Sequence, residues 1–343
     1  MKTTSPLTAA AVSVGLAGLA ISAAGAQSDR QMMKAIVVHE HGGPEVLKYE
    51  DAPRPQPKED EILIRVMAAG INPVDAYIRA GRYGGGQLPY IPGKDVAGVV
   101  EKTGAKITKF KAGDAVYAFL SSKDQGAYAQ FAIAQENETA LKPKTISYKE
   151  AAAVPLAATT AWQALVDTAK LEKGQTVLIH GGSGGVGHFA VQIAKARGAR
   201  VIATASTANQ DLLKQLGVDE PIDYTKTKFE DVVKNVDVVL NAVRGDTLDR
   251  SYGVVKKGGI IVSITGPPDP SKLAEYGIRG TGVRTHPDAK VLEELAKLID
   301  AGKIRPVVSQ VFALSEASKA QEQIETRHTR GKIVLKVANP PKS

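Results

Sequence analysis

The sequence contains no cysteine in 343 residues. That excludes disulfides, a thiolate zinc site and a cysteine nucleophile. It suits oxidising and reducing compartments equally, so it says nothing about location. The six histidines, at 39, 41, 180, 188, 286 and 328, form no ligand-spaced cluster, and no bound metal is expected. The formal charge is +8, but the bases are scattered. No run of Lys and Arg is interleaved with aromatics, so nucleic-acid binding has no support. A mild positive bias suits a small anionic ligand equally well. Beyond the N-terminus no stretch reaches the roughly 18 apolar residues of a membrane span, and there are no internal repeats. What remains is globular in composition, 43% hydrophobic and 23% charged, and long enough for two ordinary domains.

Residues 1–26 differ in kind from the rest. Lys2 opens the segment, an Ala/Val/Leu/Gly-rich run follows from Ala9 to Ile21, and Ala24-Gly25-Ala26 supplies small residues at a cleavage point. This is the layout of a secretory signal peptide, without the twin-Arg pattern. It predicts an exported chain, periplasmic or secreted, that begins near Gln27. The alternative is a cytoplasmic protein whose start is Met32 or Met33, where strand-like sequence begins.

From Lys34 to Ala134 the pattern is one of short strands and turns. Ile62, Ile64 and Val66 alternate with period two, and Gly42-Gly43-Pro44 and Pro53 to Pro57 punctuate. Near Ser147 the texture changes. Helices are expected at 147–153 and 156–169, broken by Pro155. Strands and helices then alternate: strand 176–180, helix 185–197, strand 200–204, helix 209–216, strand 237–240, helix 245–255 and strand 259–264. That order signals a parallel sheet with crossover helices. A helix at 287–301 precedes a strand–helix–strand tail ending at 332–337, which is expected to rejoin the first part.

Gly181-Gly182-Ser183-Gly184-Gly185-Val186-Gly187 is the strongest local motif. Gly182, Gly184 and Gly187 form G-x-G-x-x-G between an apolar strand and an amphipathic helix. Glycine permits the tight turn, the approach of a pyrophosphate and close helix–strand packing; the helix N-terminus offers free N–H groups. The candidate phosphate contacts are therefore Gly182, Ser183, Gly184, Gly185, Val186 and Gly187. The second strand ends Ala203-Thr204-Ala205-Ser206-Thr207, with no acid for ribose hydroxyls. Ser206 and Thr207 could instead donate to a 2′-phosphate, so NADPH is the expected cofactor.

Further motifs carry a resemblance. Lys34-Ala35-Ile36-Val37-Val38, Gly70-Ile71-Asn72-Pro73-Val74-Asp75-Ala76-Tyr77-Ile78-Arg79, Pro92-Gly93-Lys94-Asp95-Val96-Ala97-Gly98, Gly113-Asp114-Ala115-Val116, Val154-Pro155-Leu156-Ala157, Thr160-Ala161-Trp162, the glycine loop and Gly331-Lys332-Ile333-Val334-Leu335 occur in order across both halves. In these the chain resembles the zinc-free, zeta-crystallin-like quinone oxidoreductase branch of the medium-chain dehydrogenase/reductases. The resemblance implies an α/β chain with a GroES-like β-barrel catalytic domain, 32–153 plus 306–343. A Rossmann doubly wound parallel-sheet domain, 154–305, would be inserted within it. It also implies a cleft site between the two and a homodimer through the Rossmann sheet edge.

Zinc-dependent relatives carry Cys or His ligands where this chain has Asn72-Pro73-Val74-Asp75 and Gly93-Lys94-Asp95. Without a metal to polarise an alcohol, quinones and activated enones are the easier substrates. Tyr77 matches the family's active-site tyrosine and is the candidate proton donor; packing on a helix face is its structural alternative. Asn72 could orient cofactor or substrate, or be a turn residue. Lys94 could place a cation near an oxyanion, or be solvated. By resemblance Tyr128 lines the nicotinamide side, Thr160 approaches the nicotinamide, Tyr224 lies near the ribose phosphate and Lys332 closes on the cofactor. Two departures bear on substrate choice: Asn241-Ala242-Val243-Arg244 replaces an Asp before Thr-Val-Gly, and the segment from Pro267 to Arg284 is unusual. An enoyl-thioester reductase and a non-catalytic NADPH-binding protein are the competing readings.

Overall fold

Two kinds of apolar segment build two kinds of sheet. The computed structural model describes residues 1–3, 31–84, 87–122 and 124–339. The expected signal segment lies almost wholly outside them. The chain divides into Met1–Gln31 and Met32–Ser343, and every element below belongs to the second part. Among the described residues, no helix is long and apolar enough to cross a membrane.

β1 (Met32–Val38) and β2 (Leu47–Pro53) form an antiparallel hairpin. β3 (Glu61–Gly70), β4 (Asp95–Thr103), β5 (Ala115–Phe119), β6 (Phe131–Gln135) and β7 (Thr139–Leu141) form the body of an antiparallel sheet. Period-two alternation in β3 predicts one buried face; instead Ile62, Leu63, Ile64, Val66 and Met67 are all buried. The strand is central. β4 runs along one edge, and β6 takes only Glu61 to Arg65 on the other. α1 (Pro73–Arg79) leaves the end of β3 with Pro73 at its first position, where a missing N–H costs nothing.

α2 (Tyr148–Ala152) and α3 (Pro155–Trp162) lead into the second sheet. Pro155 starts α3 rather than merely separating two helices, and the helix continues as a π-helical turn over Gln163–Thr168. β8 (Thr176–His180), α4 (Gly187–Ala196), β9 (Arg200–Ala205), α5 (Gln210–Gln215), β10 (Glu220–Asp223), α6 (Phe229–Val232), β11 (Val236–Asn241), α7 (Thr247–Ser251), β12 (Val255–Ser263), α8 (Pro270–Tyr276), β13 (Arg279–Gly282) and α9 (Ala289–Asp300) follow. The strands are all parallel, in the order β10-β9-β8-β11-β12-β13. Successive strands run outward from β8 on one side and from β11 on the other. The reversal point between them is where ligands bind in open α/β sheets.

The expected helix over 245–255 is shorter. Val255 already pairs with Val236 in the sheet, because β-branched residues pack well on a pleated surface. The sequence pattern misses β10 and β13, the two edges, whose Pro221, Gly280 and Gly282 are tolerated because an edge strand is paired on one side only.

β14 (Val308–Ala313), α10 (Ala317–Glu325) and β15 (Lys332–Lys336) return the tail to the first sheet. β15 pairs with Ala68 to Gly70 of β3, filling the edge that β6 leaves open. Tyr117 of β5 is fully buried and donates from its hydroxyl to the Leu292 carbonyl of α9 at 2.5 Å. That bond ties the antiparallel sheet to a helix of the parallel one.

Candidate active site

β8 ends at His180, and the chain turns sharply through Gly181, at φ +74°. A Cβ on Gly187 would lie 2.0 Å from the Gly181 carbonyl oxygen, and one on Gly182 would lie 2.8 Å from Ala203 Cβ. Those approaches explain two of the glycines. The amides of Ser183, Gly185, Val186 and Gly187 donate to no acceptor among the described residues. Four free N–H groups at the start of a helix make an anion cradle, so the residues fit a dinucleotide. The loop is fixed from behind. Gly331 N–H donates to the Ser183 carbonyl at 2.8 Å. His188 Nδ1 donates to the Gly184 carbonyl at 2.9 Å, and its Nε2 accepts from Val307 N–H at 3.3 Å. Burial pushes His188 down to about 4, so the neutral ring that this arrangement needs persists at neutral pH.

At the far end of the cradle, Ser206 is half-buried while Thr207 and Tyr224 are exposed. The structure adds a residue that the linear pattern missed. Asp223, at the end of β10, accepts from Thr207 Oγ1 at 2.6 Å and from Thr225 Oγ1 at 2.7 Å. The Thr207 and Thr225 hydroxyls hold its carboxyl below the usual range, so it is ionised beside the expected 2′-phosphate contacts. Asp223 directly precedes Tyr224 in the chain, but only the β9–β10 pairing brings it to Thr207.

A buried polar cluster joins the sheets. Asn72 precedes α1, but its side chain does not cap the helix: Nδ2 donates to Asp95 Oδ2 at 2.9 Å, and Oδ1 accepts from Lys332 Nζ at 2.5 Å. Asp75 reaches back to the Asn72 N–H at 2.9 Å and accepts from the Tyr128 hydroxyl at 3.0 Å. Asp95 Oδ1 accepts from the Leu156 N–H at 2.7 Å, at the start of α3. The Lys332 ammonium lies 3.3 Å from Asp95 Oδ2, and both side chains are buried. Lys332 therefore faces Asn72 and Asp95, while its Cδ stands 3.5 Å from where a Gly185 Cβ would be. Burial, reinforced by the charge of Asp95, pushes the Asp75 carboxyl up to about 6. Burial and Asp75 hold the Tyr128 hydroxyl well above its ordinary range. Its ring is fully buried, and the left-handed Gly93 leaves room for it. Asp75 and Asp95 carry the cluster; both lie inside the family-like motifs, but no local spacing marks either carboxylate for a partner.

Tyr77 stands apart from this cluster, half-buried on α1, with the Arg244 guanidinium 5.3 Å above its ring. Lys94 is also half-buried, and its ammonium donates to the Ser122 carbonyl. Thr160, on α3, donates to the Leu156 carbonyl at 2.7 Å and lies 2.9 Å from Thr285 Oγ1. Gln163, in the π-helical turn, pairs with both backbone groups of His286. The segment beyond β13 is thus held against α3.

Residues 58–144 match a family model described as an alcohol dehydrogenase GroES-like domain. Residues 216–335 match one described as a zinc-binding dehydrogenase. The chloroplastic NADPH-dependent alkenal/one oxidoreductase of Arabidopsis thaliana is 40% identical over 316 residues, 88% of this chain and 79% of that protein. The solved quinone oxidoreductase from Coxiella burnetii superposes with a TM-score of 0.83 at 36% identity, over 90% of this chain and all of the other. A mycobacterial protein solved in complex with NADPH gives 0.80 at 32% identity, over 89% of this chain and all of its own. Similarity of this extent runs through both sheets, and the chain is therefore an oxidoreductase of the medium-chain dehydrogenase/reductase family, in its quinone oxidoreductase branch.

Proposed function

We propose that the chain reduces quinones or activated enones with NADPH and without zinc. The observation that carries this reading is the half-buried Tyr77 under the guanidinium of Arg244, which follows β11 at the carboxyl edge of the parallel sheet, together with a glycine cradle of four free amides. When bound, the reduced nicotinamide supplies a hydride. The chain's own work is to hold, orient and protonate. The glycine-loop amides hold the pyrophosphate, and Ser206 and Tyr224 hold the 2′-phosphate end; the Thr207 hydroxyl, expected to donate there, gives its one hydrogen to Asp223 instead. Thr160, fixed by Leu156 and Thr285, presents a hydroxyl on the nicotinamide side. The substrate gains two electrons with the hydride, and its carbonyl oxygen becomes an anion. The Tyr77 hydroxyl takes no hydrogen bond among the described residues, so it can donate to that oxygen and recover a proton from water.

The zinc-free part rests on the donor set. Zinc takes thiolate, imidazole or carboxylate ligands. Here Asn72 and Lys94 occupy the matching motifs, and Asp95 carries the Lys332 ammonium. Among the described residues no three of His, Cys, Asp and Glu gather as ligands, so the residues do not fit a catalytic zinc. The NADPH preference draws on the relative named for that cofactor and the structure solved with it.

The test follows NADPH absorbance with a simple quinone and a simple enone, a chelator being present throughout. Consumption that survives chelation is expected. Tyr77→Phe should lower turnover about a hundredfold; unchanged turnover at every pH would assign protonation to water. No consumption with NADPH bound would overturn the reductase reading.

A further inference from the structure

The loop after β11 carries a cation that the reading above does not use. Asn241 is buried at the strand's end and donates from Nδ2 to the Val243 carbonyl at 3.1 Å; Thr265 Oγ1 donates to the same carbonyl at 3.1 Å. Val243 also leans on the phosphate loop, its Cγ1 lying 2.9 Å from where a Gly181 Cβ would be. Gly245 follows at φ +96°, a conformation that suits glycine. Arg244 is therefore held between two fixed points, at the carboxyl edge where ligands of such sheets bind.

Its guanidinium lies over the Tyr77 ring, on the helix that carries the proposed proton donor. The side chain is exposed and joins no ion pair among the described residues. The nearest acid in sequence, Asp246, pairs with Arg250 at 3.2 Å instead. A guanidinium over an aromatic face keeps its in-plane N–H donors for a planar anion, which carboxylates match with two parallel bonds. A neutral quinone offers such a cation no anion to bind before hydride transfer, whereas a carboxylate does.

We infer that Arg244 selects electrophilic substrates that carry a carboxylate, docking that group while the reacting carbonyl lies at Tyr77. The inference rests on the reductase reading. The reaction is unchanged: one hydride and one proton add to the substrate, and the carboxylate is neither made nor consumed.

The experiment compares a vinyl ketone bearing a carboxylate on a short alkyl tether with its methyl ester, whose electrophile is the same. Wild-type protein should favour the carboxylate in kcat/KM by about tenfold, as one charge-assisted contact predicts, and added salt should erode that ratio. Arg244→Gln should bring the ratio close to one, and Arg244→Lys should restore part of it. Wild-type indifference to the carboxylate overturns the inference, as does an Arg244→Gln variant with an unchanged ratio. A parallel loss of NADPH affinity in Arg244→Gln, read from the fluorescence of the bound nucleotide, also overturns it, because the cation would then serve the cofactor. Binding of the saturated keto acid, measured by calorimetry in wild type and Arg244→Gln, separates the two readings. Arg244-dependent binding without turnover of either ketone would leave the anion site standing and sink the reductase reading.

Discussion

At the residue scale, two carboxylates have effects that can be measured. Asp223 is ionised beside Thr207, with Lys226 at 3.6 Å as partial compensation. Its charge opposes a 2′-phosphate bound nearby. Asp223→Asn should therefore raise the NADPH-to-NADH ratio of kcat/KM, by about threefold to tenfold for a screened surface charge. An unchanged ratio would place the phosphate elsewhere. Asp75 is the second case. Its carboxyl is raised from 3.8 to about 6, so folding favours its protonated form. The stability from this group is fully present below pH 3.8 and is lost as pH rises through about 6. Asp75→Asn keeps an oxygen for the Asn72 amide and Tyr128 hydroxyl but removes the ionisation. Relative to wild type, its stability should rise between these limits by about 3 kcal/mol at most, read from urea midpoints at each pH. A pH-independent difference would show that Asp75 titrates normally. His180 and His188, pushed down by burial to about 3 and about 4, act in the opposite sense. Their contribution is present above the unfolded value of 6.5 and is lost as pH falls through those values. Both proteins therefore share an acid-side loss that cancels in the comparison.

At the scale of elements, the strand–loop–helix unit from β8 to α4 separates two glycines with different work. A Cβ on Gly187 would lie 2.0 Å from a backbone oxygen, whereas one on Gly184 would lie 3.3 Å from the same atom. Gly187→Ala must displace the first turn of α4, at a cost of about 1–3 kcal/mol, and should weaken NADPH binding because the free amides move with it. Gly184→Ala should be milder in both respects. Thermal unfolding and NADPH titration of the pair check this; equal effects would mean that the cradle tolerates displacement. The same unit was plain in the sequence because its glycines, apolar strand and amphipathic helix all agree. β10 and β13 were not, because edge strands need neither length nor an apolar pattern. α7 read as too long, since Val254 and Val255 suit either a buried helix or a strand until the sheet claims them.

At the scale of the whole molecule, two matters concern what lies outside one folded copy. We propose that residues 1–26 direct export and that the mature chain begins near Gln27. N-terminal sequencing of the native protein should find that start, and a first residue of Met32 or Met33 would overturn it. We also propose a homodimer through β13. That strand pairs only with β12 within the sheet and is largely exposed, an edge that a second copy can extend. Light scattering should give twice the chain mass, and a monomer at micromolar concentration would refute the pairing.

By itself the sequence determined the architecture and the cofactor cradle. Alternating strands and helices leave few topologies for a parallel sheet, and the glycine loop is a local structure whose chemistry needs no distant partner. The lack of cysteine settled the thiolate question in the same direct way. Only the tertiary structure decided what the functional side chains face. Asn72 and Lys332 are 260 residues apart, and nothing local turns an asparagine at a helix start away from capping toward a lysine of the last strand. That pairing depends on β15 filling the open edge of β3. Asp223 likewise reaches Thr207 through the β9–β10 register, and Arg244, after β11, reaches Tyr77 on α1. Such contacts follow from packing, which sequence spacing does not encode, whereas turns, periods and missing residue types are written in the chain itself.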